Sequence, residues 1–229
     1  MPGGSGCTPA YRGGMRIVIA GGHGKIALLL SRQLAEAGHE PVGIIRKPEQ
    51  ADDLRAVGAT PLVLDLEHST IDELAVALTG ADATVFAAGA GPDSGPDRKL
   101  TLDRDGAILL ADASVRAGVR RMIVISSMGA DGFDASSDDG FQVYLRAKSE
   151  ADAAVREHDL DWTIVRPGSL TDSDPAGVVT LGESVARGSI PRADVAALVS
   201  ALLVGGTAVG RQFEVTSGST PIVEALGAL

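Results

Sequence analysis

Apolar and polar positions along the chain fall into blocks of two kinds. Short, nearly continuous apolar runs at Arg16–Ala20, Pro41–Ile45, Thr60–Leu64, Ala83–Ala88, Arg121–Ile125 and Trp162–Arg166 have the length and β-branched character of buried strands. Between them lie segments in which apolar residues recur at helical spacing: Gly24–Ala37, Glu49–Val57, Thr70–Leu78, Lys99–Ala117 and Gln142–Glu157. Gly38, Gly58, Gly80 and Gly118 each follow such a segment, where a helix C-terminus wants a left-handed residue. Beyond Pro167 the rhythm weakens. Asp172–Gly182 reads as a loop or short strand, Arg192–Val204 as a helix and Gln212–Thr216 as a last strand. This alternation predicts an α/β fold: a doubly wound, mainly parallel sheet in a three-layer αβα arrangement, with ligands at the carboxyl ends of the strands. Residues 15–229 are expected to form a single domain, with a short C-terminal substrate-side segment at about 167–192. The stretch 1–14 holds five glycines and two prolines and is expected to be a disordered leader.

Composition narrows the function classes. The longest apolar run, Val195–Val204, falls well short of the about 18–20 residues that a membrane span needs. Thirty acidic against twenty basic residues give a net charge of −10, and aromatics are only 3% of the chain. A nucleic-acid surface needs a basic stripe or stacking rings, so a nucleic-acid partner is not expected. Cys7, the only cysteine, excludes an internal disulfide and fits a reducing cytoplasm. His23, His39, His68 and His158 are scattered singly, without metal-ligand spacing.

The chemistry begins where the first strand runs into Gly21-Gly22-His23-Gly24-Lys25-Ile26-Ala27. Glycines between a buried strand and a helix N-terminus let backbone and phosphate approach closely, and the free N–H groups and helix dipole favour an anion. At the end of the second strand, where an NAD enzyme carries an acidic residue for the adenosine ribose, stand Arg46 and Lys47. A cationic pair suits a 2′-phosphate, and His23 offers a further donor, so NADP(H) is favoured over NAD(H). Asp65-Leu66 closes the third strand, where Asp65 suits either the adenine edge or a cap on the following turn. Ala87-Ala88-Gly89 leaves room for a ribose and nicotinamide against the backbone. Ser126-Ser127 follows the fifth strand, and seventeen residues beyond Ser127 comes Tyr144-x-x-x-Lys148. Four-residue spacing puts phenol and ammonium on one helix face, where the cation favours phenolate and makes Tyr144 a usable proton donor near neutrality. A serine opposite would hold a carbonyl oxygen as charge builds on it.

In this order these segments, with Arg166-Pro167-Gly168 and Asp194-Val195-Ala196, resemble the short-chain dehydrogenase/reductase superfamily. The closer likeness is to its atypical, NmrA-like or NAD(P)H-binding branch, which includes small flavin and biliverdin reductase-like proteins. It spans about residues 15 to 216 and implies a Rossmann-like fold. It further implies that backbone from His23 to Ile26 holds the pyrophosphate, Arg46 the 2′-phosphate, and Pro167 and Gly168 the nicotinamide. Lys148 would also bind the ribose, and Ser127, with Ser126 second, would polarise the carbonyl. Asp103 stands where extended relatives often carry Asn, and is expected to cap or brace its helix. Extended relatives enclose sugar nucleotides with a C-terminal segment longer than this one, which disfavours an epimerase. The resulting expectation is a cytoplasmic monomer or homodimer that passes hydride from NADPH to a small carbonyl, quinone or flavin-like acceptor. The alternative is a non-catalytic NADP(H)-binding sensor.

Overall fold

A computed structural model describes residues 14–91 and 94–229. Apart from Gly14, the leader and Cys7 lie outside these residues. The first half alternates strictly: β1 (Arg16–Ala20), α1 (Lys25–Glu36), β2 (Glu40–Ile45), α2 (Ala51–Ala56), β3 (Thr60–Val63), α3 (Ile71–Ala77), β4 (Ala83–Phe86). Then α4 (Pro96–Arg98) runs through a π-helical segment, Lys99–Arg104, into α5 (Asp105–Ala117). β5 (Arg121–Ile125), α6 (Gly140–Glu157) and β6 (Asp161–Pro167) complete the regular pattern. The rest comprises β7 (Ser169–Thr171), β8 (Val178–Gly182), β9 (Ser189–Pro191), α7 (Arg192–Gly205), β10 (Arg211–Ser217), β11 (Thr220–Pro221) and α8 (Ile222–Gly227).

Nine strands form one sheet in the order β11-β8-β10-β6-β5-β4-β1-β2-β3, and β7 pairs with β9 in a small second sheet. From β3 to β10 every pairing is parallel; β8 alone runs the other way, antiparallel to both β10 and β11. The order reverses between β1 and β4, which opens a crevice above their carboxyl ends. The doubly wound, mainly parallel sheet is therefore present as expected.

Strand alternation builds the two cores. Ile17, Ile19, Ile123 and Val165 face α1 and α7, while Val18, Ala20, Met122, Val124 and Ile164 face α3, α5 and α6. Helix α1 buries Ala27, Leu30, Ser31 and Leu34, the i, i+3, i+4, i+7 stripe that one core requires. Helix α7 is apolar nearly all round because α1 and α8 flank it as well as the sheet. No helix among the described residues is long and apolar enough to cross a membrane.

Several boundaries differ from expectation. The helix read as Lys99–Ala117 starts at Pro96, because Pro is tolerated in a first turn, and is π-wound at its start. The helix read from Gln142 starts at Gly140, where the Asp139 carboxylate accepts the N–H groups of Phe141 and Gln142. The apolar run to Ala88 leaves the sheet after Phe86, and Asp172–Gly182 divides into a loop and β8.

Candidate functional site

The carboxyl ends of β1 to β5 surround a cavity of about 890 Å³, a size typical of small-molecule and cofactor sites. Its floor is the glycine turn. Gly21 has φ +80°, and a Cβ there would sit 2.5 Å from the Ala88 Cα. A Cβ on Gly22 would sit 2.6 Å from the Gly43 Cα. Only glycine lets the turn lie against β2 and the end of β4. Gly24 heads α1 without a side-chain cap, and the first turn has no acidic residue. The first amides of the helix thus lack intrahelical acceptors, an arrangement that suits an anion. An open helix N-terminus, a turn with no room for side chains and a flanking Ala87-Ala88-Gly89 wall fit a dinucleotide diphosphate. Gly21, His23, Gly24, Lys25, Ile26, Ala87, Ala88 and Gly89 all line the cavity.

At the β2 and β3 end, Arg46 lines the cavity with its Nη1 3.6 Å from Glu67. Arg98 Nε donates to the same carboxylate at 3.1 Å, and the Thr101 hydroxyl donates at 2.7 Å. Two guanidiniums therefore share one carboxylate and leave a positive excess. Lys47 does not join them: it is extended and exposed ahead of Pro48. His23 lies between Asp53, 2.7 Å from Nε2, and Gln50, 3.1 Å from Nδ1. Asp65 and Leu66 both line the wall, but the Asp65 carboxylate accepts the Glu67 N–H at 3.0 Å and lies 3.1 Å from His68 Nδ1. Of its two open readings, the turn cap is the one its carboxylate makes.

The opposite wall carries the ionisable groups. Tyr144 and Lys148 lie one turn apart on α6, and both line the cavity. The Lys148 ammonium is buried 5.8 Å from the Tyr144 ring centroid and ion-paired with Asp103 at 3.2 Å. It also donates to the carbonyls of Ala88 (3.5 Å) and Ile125 (3.4 Å). Burial works against its charge, yet Asp103, Tyr144 and Asp152 outweigh this and hold Lys148 above the usual lysine range. Of the two roles expected of Asp103, capping or bracing its helix, bracing is the one its contacts make. Fully buried, it accepts the Ala90 N–H at 3.0 Å and so ties the loop after β4 to the π segment and to Lys148.

The serine pair splits. Ser126 lines the cavity and Ser127 does not; the Ser127 hydroxyl lies 3.5 Å from the Met128 carbonyl. Ser126 still continues β5, its N–H donating to Val165, and consecutive residues of an extended chain point oppositely. Its hydroxyl donates to Asp152 at 2.7 Å, which leaves lone pairs toward the cavity. Asp152 is buried, and burial pushes its carboxyl above the usual range against the pull of Arg166, which donates to it at 2.9 Å. Arg166 also grips Asp131 with two bonds of 2.6 and 2.8 Å and holds that carboxyl down at about 2. Pro167 and Gly168 lie outside the cavity wall. The Gly168 N–H donates to Val215, and a Cβ there would strike the Gly188 carbonyl.

Spacing alone missed Glu67, Arg98, Lys99, Phe141, Leu170 and Arg192 on the wall. Asp152 carried a signal, since it extends Tyr144-x-x-x-Lys148 by one further turn of the same face.

Comparison with known proteins agrees with this geometry. The NAD(P)H-binding family matches residues 21–204. An uncharacterized sugar epimerase of Bacillus subtilis is 36% identical over 213 residues, 93% of this chain and 99% of that one. A (4-alkanoyl-5-oxo-2,5-dihydrofuran-3-yl)methyl phosphate reductase of Streptomyces griseus is 30% identical over 87% of this chain and 67% of that protein. The solved structure of a candidate NAD-dependent epimerase/dehydratase of Bacillus halodurans superposes with a TM-score of 0.86 at 36% identity, covering 94% of this chain and all of that one. The glycine turn, the open helix N-terminus and these matches lead to one conclusion: the chain belongs to the NAD(P)H-binding family.

Proposed function

We propose that the protein is an NADPH-dependent oxidoreductase that reduces a small carbonyl, quinone or flavin-like acceptor. The observation that carries this reading is the Tyr144–Lys148–Asp103 wall facing the open N-terminus of α1 across one cavity. A bound nicotinamide supplies the hydride; the residues supply position and a proton. Backbone from His23 to Ile26 holds the diphosphate, and Arg46, with Arg98 beside it, holds the 2′-phosphate. Lys148 stays charged through Asp103 and binds the ribose. The Tyr144 hydroxyl makes no hydrogen bond among the described residues, and it gives its proton to the acceptor oxygen as hydride arrives at the acceptor's electrophilic atom. Ser126 acts as a hydrogen-bond acceptor, since its own proton is committed to Asp152. The segment 167–192, which contributes Leu170 and Arg192 to the wall, forms the substrate side. A relative named as a reductase supports reduction as the reaction, and the lone cysteine supports a cytoplasmic setting.

The first experiment titrates the protein with NADPH and NADH by nicotinamide fluorescence, in wild type and Arg46→Ala. NADPH preference that vanishes in the variant is expected; equal affinities in wild type would refute the 2′-phosphate site. NADPH oxidation is then followed with carbonyl, quinone and flavin acceptors. Tyr144→Phe should retain NADPH affinity and lose about 10²–10⁴-fold in kcat for a carbonyl acceptor. An epimerase, the activity that two relatives' names suggest, would instead interconvert a sugar nucleotide without net NADPH oxidation.

A further inference from the structure

The cavity wall contains one buried charge that the proposed reaction leaves unused. Lys99 opens the π segment and is only 6% exposed. Among the described residues its ammonium has one hydrogen-bond acceptor, the Gly91 carbonyl at 3.2 Å, and no carboxylate within ion-pairing distance. It lies 6.0 Å from the Tyr144 ring centroid, and its Cε is 3.8 Å from where a Gly140 side chain would begin.

The other buried cations near it are matched. Lys148 has Asp103, and Arg166 has Asp152 and Asp131. The preceding residue, Arg98, turns to Glu67. Asp139, also on this wall, uses a carboxylate oxygen to cap α6. Among the described residues, with Asp103 and Lys148 cancelling, Lys99 leaves one positive charge beside Tyr144. Among the described residues the ammonium has a single carbonyl partner, which leaves two of its three N–H groups to the cavity. Lining the cavity, it offers those N–H groups to an incoming acceptor group, whose own bulk displaces water from the wall. Next to it Phe141, 59% exposed, stacks on Tyr144 with ring centroids 6.1 Å apart, so an apolar surface adjoins the charge.

We infer that Lys99 anchors an oxyanion, a carboxylate or phosphate, carried by the acceptor that Tyr144 protonates. The substrate class is thus an apolar-bodied carbonyl compound bearing an anionic group. This rests on the oxidoreductase reading above for its reaction, though not for its anion site.

The test is calorimetric titration with benzoate, phenyl phosphate and the neutral benzamide, in the presence and absence of saturating NADPH. Wild type, Lys99→Met and Lys99→Arg are compared, and the thermal midpoint of each is recorded. At least one anion should bind wild type tenfold or more tightly than benzamide. Lys99→Met should abolish that preference and Lys99→Arg should keep it. Tighter binding of benzoate or of phenyl phosphate identifies carboxylate or phosphate as the preferred group. Replacing a buried ammonium that has no carboxylate partner among the described residues should leave the midpoint of Lys99→Met at or above that of wild type. Equal binding of anions and benzamide, no binding of either anion, a preference that survives Lys99→Met, or failure of Lys99→Met to fold overturns the inference. Anion preference lost in Lys99→Met, in a protein that oxidises no NADPH with any acceptor, would uphold the anion site while the oxidoreductase reading fell.

Discussion

At the scale of the residue, Asp103 links loop, helix and site. Its two oxygens answer the Ala90 N–H and the Lys148 ammonium, with no exposed surface left. Asp103→Asn preserves size and can still accept from Ala90, but it strips Lys148 of its carboxylate. Leaving a buried ammonium unpaired costs about 3–5 kcal/mol. Urea unfolding should show a loss of that order, and Asp103→Leu combined with Lys148→Met should recover most of it. A loss below about 1 kcal/mol in Asp103→Asn would mean that Lys148 finds water or another partner. The same residues mark the limit of reading a site from sequence. Helical spacing correctly put Tyr144 and Lys148 on one face, and the glycine run announced the tight turn between β1 and α1. Spacing does not say which neighbouring element a polar side chain will meet, and so Asp103 read only as a residue that caps or braces its own helix. Nor does it fix where a strand ends, and there a one-residue change of phase exchanges Ser126 for Ser127.

Among the elements, those buried on both faces were legible. β1, β4 and β5 are continuous apolar runs because helices cover both faces of the sheet, and Gly38, Gly58, Gly80 and Gly118 all hold positive φ where helices stop. The elements that were missed are short: β7 and β9 have three residues each and α8 six, too few to display a period. β8 fell in a stretch left open between loop and short strand, because it lies toward the antiparallel edge with Thr180 exposed. A contact between elements was equally invisible. At the end of α6, His158 Nδ1 lies 2.8 Å from the Ala154 carbonyl, and Nε2 lies 2.9 Å from Asp112 on α5. Burial opposes the imidazolium, but Asp112 and the carbonyl outweigh it and raise the His158 pKa above 6.5. Because the folded state binds this proton more tightly, the bridge contributes fully below the ordinary histidine value and fades as pH rises through the raised one. The thermal midpoint of wild type should exceed that of His158→Gln by more at about pH 5.5 than at about pH 9. A gap independent of pH would show that the bridge works with a neutral ring.

On the scale of the whole molecule, the glycine turn at one end of the chain is clasped by the C-terminal segment. The Asp172 carboxylate, just past β7, lies 2.5 Å from Lys25 Nζ at the head of α1 and 2.6 Å from Arg192 Nη1 at the head of α7. Lys25 foremost, with Arg192, holds that carboxyl below the usual range. All three groups reach solvent, so the clasp adds little to stability. Its consequence falls on binding, because Asp172 occupies Lys25, the cation at the head of α1 beside the proposed diphosphate site. An incoming diphosphate and this carboxylate compete for Lys25. Asp172→Asn removes the competitor without removing the cation and should tighten NADPH binding by about 2–10-fold. The extra ligand-induced rise in thermal midpoint at saturating NADPH should match that gain. Lys25→Ala should weaken binding, and added salt should shrink both effects, since these charges are exposed and screened. Fluorescence titration at low and high salt reads all three. An unchanged or weaker affinity in Asp172→Asn would mean that the clasp orders the diphosphate site rather than competing for it. The C-terminal segment would then be part of the cofactor site as well as of the substrate side.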